Sequence, residues 1–119
     1  WLHERLGGQD TLRSYGLDCN LRRRLSEARV EALQAVPKAH QDFISPCKLS
    51  YSSADLFLCH VGIRPGVPLQ AQDEEDLLWI RDEFHAHLTA HPKIIVHCHS
   101  PVDQASHYGN RINLDSGAD

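Results

Sequence analysis

The sequence predicts an α/β domain. Three observations carry that prediction. Residues 21–36 and residues 73–87 each repeat apolar side chains at helical spacing. Leu56-Phe57-Leu58-Cys59 and Ile94-Ile95-Val96 are short continuous apolar runs, the pattern of buried strands. Loops and one helix separate these runs, an order that belongs to α/β or α+β chains.

Residues 1–16 read as a helix end, then Gly7-Gly8, then a turn-rich stretch closing on Tyr15-Gly16. In residues 21–36, Leu21, Leu25, Ala28, Ala32, Leu33 and Val36 form one face, and Arg22, Arg23, Glu27 and Glu31 fill the other. Pro37 suits the start of a second short helix through His40 and Phe43, ending near Pro46. Residues 48–53 alternate as a strand, with Leu49 and Tyr51 on one face. Asp55 marks a turn before the 56–59 strand. Gly62, Pro65, Gly66 and Pro68 make residues 62–72 a loop. Asp73 is a helix cap, with Asp76 placed for a near capping box. The helix from Asp73 to about His87 is expected to bury Leu77, Ile80 and Phe84, and Trp79 reads most simply as core. Residues 94–96 and 111–115 supply two further strands, with Ile112 and Leu114 alternating in the second.

Composition narrows the function. The chain has 119 residues, 41% of them hydrophobic, which suits one small domain with a true core. A formal charge of -4 argues against a general nucleic-acid or membrane-surface binder. The Arg22–Arg24 run has no aromatic neighbours and reads as a solvated helix face. No apolar run approaches the roughly 20 residues of a membrane span, and no leader resembles a signal peptide, so a cytoplasmic location is expected. Cys19, Cys47, Cys59 and Cys98 form no C-x-x-C pair, and they read as reduced thiols, Cys59 and Cys98 in buried strands. The start at Trp1 and the absence of Met suggest a piece of a longer chain.

Chemistry concentrates at strand ends, where sheet proteins open space for ligands. His60 closes the 56–59 strand and Gly62 follows closely. A neutral imidazole there can bind a metal or simply hydrogen-bond the turn. His97-Cys98-His99-Ser100-Pro101 closes the 94–96 strand. In extended backbone His97 and His99 point to the same side. If the two strands are neighbours, His60 and His99 can meet at one metal. Arg81 lies just beyond the apolar run Leu77-Leu78-Trp79-Ile80. A guanidinium suits a phosphate through paired hydrogen bonds. It equally could pair with Asp82 or Glu83, or sit in water. Asn110 to Ala118 reads as a structural strand beside the histidine-bearing ones.

These segments resemble one family. Phe57-Leu58-Cys59-His60-Val61-Gly62-Ile63-Arg64-Pro65-Gly66 resembles the "VHAGIRPG" segment of bacterial serine/threonine protein phosphatases, within the calcineurin-like metallophosphoesterase superfamily. Asp76 to Phe84 resembles "DLLWIRDEF", Val96 to Val102 "VHGHTPV", and Asn110 to Ala118 "NRINIDTGA". Gly7-Gly8 with Thr11 to Gly16 is similar to "GGxxTLxSYG". The resemblance implies the C-terminal part of a β-sandwich flanked by helices, with residues 1–119 as a partial phosphoesterase domain lacking its N-terminal metal motifs and final strands. It implies two divalent ions in the full enzyme (manganese, iron or zinc), with His60 and His99 as ligands of the second and Arg81 as the substrate-phosphate contact. The implied activity is metal-dependent phosphomonoester hydrolysis on phosphoserine or phosphothreonine. Symmetrical dinucleoside tetraphosphate hydrolysis and a non-catalytic phosphate-binding remnant are the alternatives. The implied partners are a phosphorylated protein or a small phosphoester, with neither nucleic acid nor membrane.

The sequence also departs from the family pattern. "HAG" has become His60-Val61-Gly62, which adds bulk beside a ligand. The glycine of "GHT" has become Cys98, where a side chain can hinder a close backbone approach and a thiol can compete for a soft metal. The motifs "GDxHG", "GDxxDRG" and "GNHE", which carry the first-metal ligands and the general acid, are not among these residues. No catalytic residue is therefore assigned, and these residues alone are expected to lack turnover.

Overall fold

The computed structural model of the chain describes residues 7–17 and 25–117. The chain divides into two compact units, Trp1–Cys47 and Lys48–Asp119. The expectations placed on residues 1–6, on Cys19 and on Leu21 to Arg24 lie outside the described residues.

In the first unit, α1 spans Gly8–Ser14, where the sequence suggests a turn-rich stretch. Gly7 starts it with a left-handed φ of 65°, a conformation glycine adopts without a Cβ clash. Arg13 Nη1 then donates to Asp10 Oδ1 at 2.7 Å, one turn apart on the helix surface. Helix α2 spans Leu25–Ala35 and α3 spans Lys38–Ile44, with Pro37 just before it. Gln41 Nε2 donates to the carbonyls of Leu33 and Val36 at 2.9 and 2.8 Å, which ties α3 to the end of α2. Leu33 and Phe43 remain exposed, so this unit keeps part of its apolar stripe outward.

The second unit is built on one five-stranded mixed sheet. Its strands are β1 (Ser50–Ser52), β2 (Leu56–Cys59), β3 (Ile94–His97), β4 (Ser106–His107) and β5 (Arg111–Asn113), in spatial order β1-β2-β3-β5-β4. β2, β3 and β5 run parallel, and β1 and β4 are antiparallel edges. The α/β class is thus present, as one mixed sheet with helices.

One face of this sheet is covered. Phe57 of β2 and Ile95 of β3 are opposite each other and buried with Val61, Ile63, Leu69, Leu77, Ile80 and Phe84. Each such apolar side chain contributes about 1.5–3 kcal/mol relative to exposure. The other face carries the row Tyr51–Leu58–Val96–Ile112. Leu56 and Leu58 are 36% and 38% exposed there, so β2 is half-buried and not covered on both faces as its apolar run suggested.

Two further expectations are corrected. The 73–87 helix is two short helices, α4 (Glu74–Trp79) and α5 (Asp82–Ala86). Asp73 caps α4 as anticipated, accepting from Glu75 N at 2.8 Å. Asp76 does not close a capping box; it receives a forked pair from Arg64, at 2.7 and 2.6 Å. The helix breaks because the Leu77 carbonyl accepts from Val61 N at 3.0 Å, the bond that Arg81 N–H would make in a continuous helix. The second correction concerns β5. Its inward residues are Arg111 and Asn113, at 8% and 2% exposure, while Leu114 is half exposed.

Candidate functional site

His60 and His99 are brought together by the parallel pairing of β2 and β3. Each follows the last residues of its strand, and Cys98 N donates to His60 O at 2.9 Å, extending the pairing by one step. Their ring centroids are 4.9 Å apart. Trp79 meets His99 edge-on at 6.4 Å between centroids. Trp79 is 49% exposed, so it is a wall of this site and not core, as its place in an apolar run suggested.

His97 and His99 part company. His99 has a left-handed φ of 66°, the one non-glycine residue with positive φ among the described residues. Histidine tolerates this region better than most side chains, at a cost of about 1–3 kcal/mol. The turn is pinned on both sides. Leu114 N donates to His97 O at 2.9 Å, and Asn113 Nδ2 donates to Ser100 O at 2.7 Å. His97 consequently stays on the covered face, at 1% exposure, with its ring edge-on to Phe84 at 4.9 Å. His99 turns away to His60.

The departures noted in the sequence are absorbed locally. Val61 is fully buried in the core, so its bulk is spent on packing. Cys98 keeps an ordinary φ, because the left-handed residue is His99. Burial pushes the Cys59 thiol up to about 12, with Cys98 adding to the shift. Burial followed by Asp115 raises Cys98. Both thiols are free and protonated at neutral pH.

Arg81 sits at the helix break with φ -134° and ψ -81°. Its side chain forms no ion pair among the described residues; Glu83 pairs instead with Arg64. With Arg64, Trp79 and Ile80 it borders an open hollow of about 780 Å³ whose other lining residues are acidic: Asp73, Glu75, Asp76, Asp82 and Glu83. Burial first, then His60, then the Arg81 charge hold the pKa of His99 below its ordinary value. His99 is therefore neutral at pH 7, the form that can donate a lone pair to a metal. Its Nε2 is buried with no hydrogen-bond partner. An orphaned imidazole nitrogen beside a second imidazole fits half of a divalent-ion site. Among the described residues no group of three His, Cys, Asp or Glu side chains converges, so further donors would have to come from elsewhere.

Away from this pair, burial is also the leading cause that lowers His85 and His91. Their unfolded-state pKa of about 6.5 lies above the folded one. As pH falls through about 6.5 the unfolded chain takes up protons first, so stability is lost on acidification. The thermal midpoint is expected to fall between about pH 7.5 and about pH 5.5. A midpoint that rises over that range would contradict this account.

Comparison of the chain with protein-family models, with curated proteins and with solved structures finds no significant match. No helix among the described residues is long and apolar enough to cross a membrane.

Proposed function

We infer that the chain is part of a metal-dependent phosphoester hydrolase, of the kind its strand-end motifs resemble. The observation that carries this reading is the His60–His99 pair, at 4.9 Å between rings, with Arg81, which forms no ion pair among the described residues, near enough for its charge to act on His99. His60 and His99 would hold one divalent ion together with donors from outside these residues. When bound, such an ion supplies Lewis-acid polarisation of a phosphoryl oxygen. Arg81 would bind and orient the phosphate through its fork of N–H donors. Trp79 fixes the ring of His99 from the side and leaves its own exposed face for the substrate's non-phosphate part. The apolar open face of the sheet suits a sandwich partner sheet, the architecture that the resemblance implies. The preferred substrates are phosphoserine or phosphothreonine in a protein, and the working location is cytoplasmic.

A second reading is a phosphate-binding module without turnover. It is favoured by the convergence, among the described residues, of two imidazoles without a third His, Cys, Asp or Glu donor. Both readings are tested by calorimetric titration with a peptide carrying a non-hydrolysable phosphonate analogue of phosphoserine. Manganese is expected to tighten binding about tenfold or more, and Arg81→Ala is expected to abolish it. Arg81-dependent binding that ignores manganese would favour the module. Binding that ignores both would end the phosphoester reading, and tighter binding of a dinucleoside tetraphosphate would move the substrate to that class.

A further inference from the structure

We propose that the second unit carries a separate oxyanion-binding site centred on Arg111. This site does not rest on the function proposed above. It occupies a cavity of about 250 Å³ on the covered side of the sheet, lined by Arg111, His85, His97, Ser100, Tyr108 and Asn113. No carboxylate lines it.

The burial of β5 is inverted, with its polar residues on the core face. Arg111 is more than nine-tenths buried, in register with Ile95 on the core face. Burying a guanidinium is costly unless its charge and its donors are answered. Arg111 has no ion-pair partner among the described residues. Its Nη1 donates to Asn110 Oδ1 at 3.1 Å, while its Nε is buried and unpartnered. Tyr108 and Phe84 present ring faces to the guanidinium at 4.5 and 5.7 Å, which offsets part of the desolvation cost. Aromatic faces hold the cation in place without using its in-plane donors, of which one on Nη1 goes to Asn110. That combination positions a guanidinium for an acceptor that enters the cavity.

Two neighbouring hydroxyls, those of Ser100 and Tyr108, can donate to an anion there. His97 Nδ1 meets the Cys98 carbonyl at 3.1 Å and so carries that ring's proton, which leaves Nε2 as an acceptor that lines the cavity without donating to the anion. Ser100 Oγ meets His85 Nε2 at 3.3 Å, so that hydroxyl is already oriented by an imidazole. Asp115 acts on His97 electrostatically but does not line the cavity. A purely structural Arg111 would be expected to fill its surroundings. Here a cavity borders a residue one of whose N–H groups is buried without a partner. An oxyanion with three or more acceptor oxygens, as in a phosphate, would take the Arg111 fork and a hydroxyl together; a carboxylate would take the fork alone.

The strand end thus assigns its two histidines to different places: His99 to His60, and His97 to this cavity. The two sites can be separated by experiment. The Arg111 Nε–H resonance of the whole chain would be followed by NMR in an Arg81→Ala background without metal, and assigned by its loss in Arg111→Lys. Inorganic phosphate is expected to shift it saturably at millimolar concentration. In Arg111→Gln the companion shift of the Tyr108 ring should need about tenfold more phosphate. Acetate acting more weakly than phosphate would identify a phosphate-type ligand, and acetate acting as strongly would identify a carboxylate. An Arg111 Nε–H that neither anion moves, or that moves only linearly without saturation, in a chain with dispersed backbone signals overturns the proposal. Since Arg81 is absent throughout, failure here leaves the His60–His99 reading untouched.

Discussion

Phe84→Ala is expected to remove most of the stability of the second unit. Phe84 is fully buried, and it is the ring around which the covered side is arranged. His97 meets it edge-on, His91 stacks on it at 5.9 Å, and the Arg111 guanidinium lies 5.7 Å from its centroid. Gly62 is pressed against it: a Cβ added there would fall 2.7 Å from Phe84 Cγ. Truncation to alanine costs about 3–5 kcal/mol, a large share of the roughly 5–15 kcal/mol available to a small domain. The expected result is loss of a cooperative thermal transition, or its displacement to near room temperature. Gly62→Ala should destabilise by overpacking, by about 1–3 kcal/mol. Combined with Phe84→Leu it should cost less than the two changes summed, because the smaller side chain vacates the contact. A Phe84→Ala chain within about 1 kcal/mol of the parent would contradict this description of the core.

The second large effect concerns metal. His60→Ala and His99→Ala should each weaken divalent-ion binding by at least about tenfold to a hundredfold. The two rings lie 4.9 Å apart, and no third His, Cys, Asp or Glu donor converges on them among the described residues. His107→Ala, on the exposed edge strand β4, should leave binding unchanged. The effect on stability should differ between the two sites. His60 is exposed, so its loss leaves the fold intact, whereas His99 sits at a pinned left-handed turn. His99→Gly should therefore lose the metal binding while keeping the turn.

Much of the sheet was legible because it depends on local apolar content. Residues 56–59 form the strand that the apolar run predicts, with one face left half exposed, and residues 94–97 extend theirs by one position. The strand-end position of His60 and His99 followed from the same runs. Other features depended on contacts between distant residues. The break at Arg81 comes from Val61 capturing the Leu77 carbonyl, and no residue in 73–87 announces it. The inward side of β5 is polar because Ile112 faces the open apolar side of the sheet in line with Val96. Alternation alone identifies two faces but not which one the helices cover. β4 is two residues long, below what a pattern can signal. The divergence of His97 and His99 could have been suspected from Pro101, which constrains Ser100, but the left-handed φ falls one residue before that and is set by Asn113 and Leu114. Trp79 was missed as a site residue because an aromatic among leucines reads as core.

Binding of one ion by His60 and His99 together is tested most directly by long-range correlation of the histidine ring nitrogens during a zinc titration. The rings of His60 and His99 are expected to shift together, along one saturation curve that ends at one equivalent, while His85, His87 and His91 stay in place. Separate curves for the two rings, or shifts of the other histidines at lower zinc in a folded chain, would contradict it.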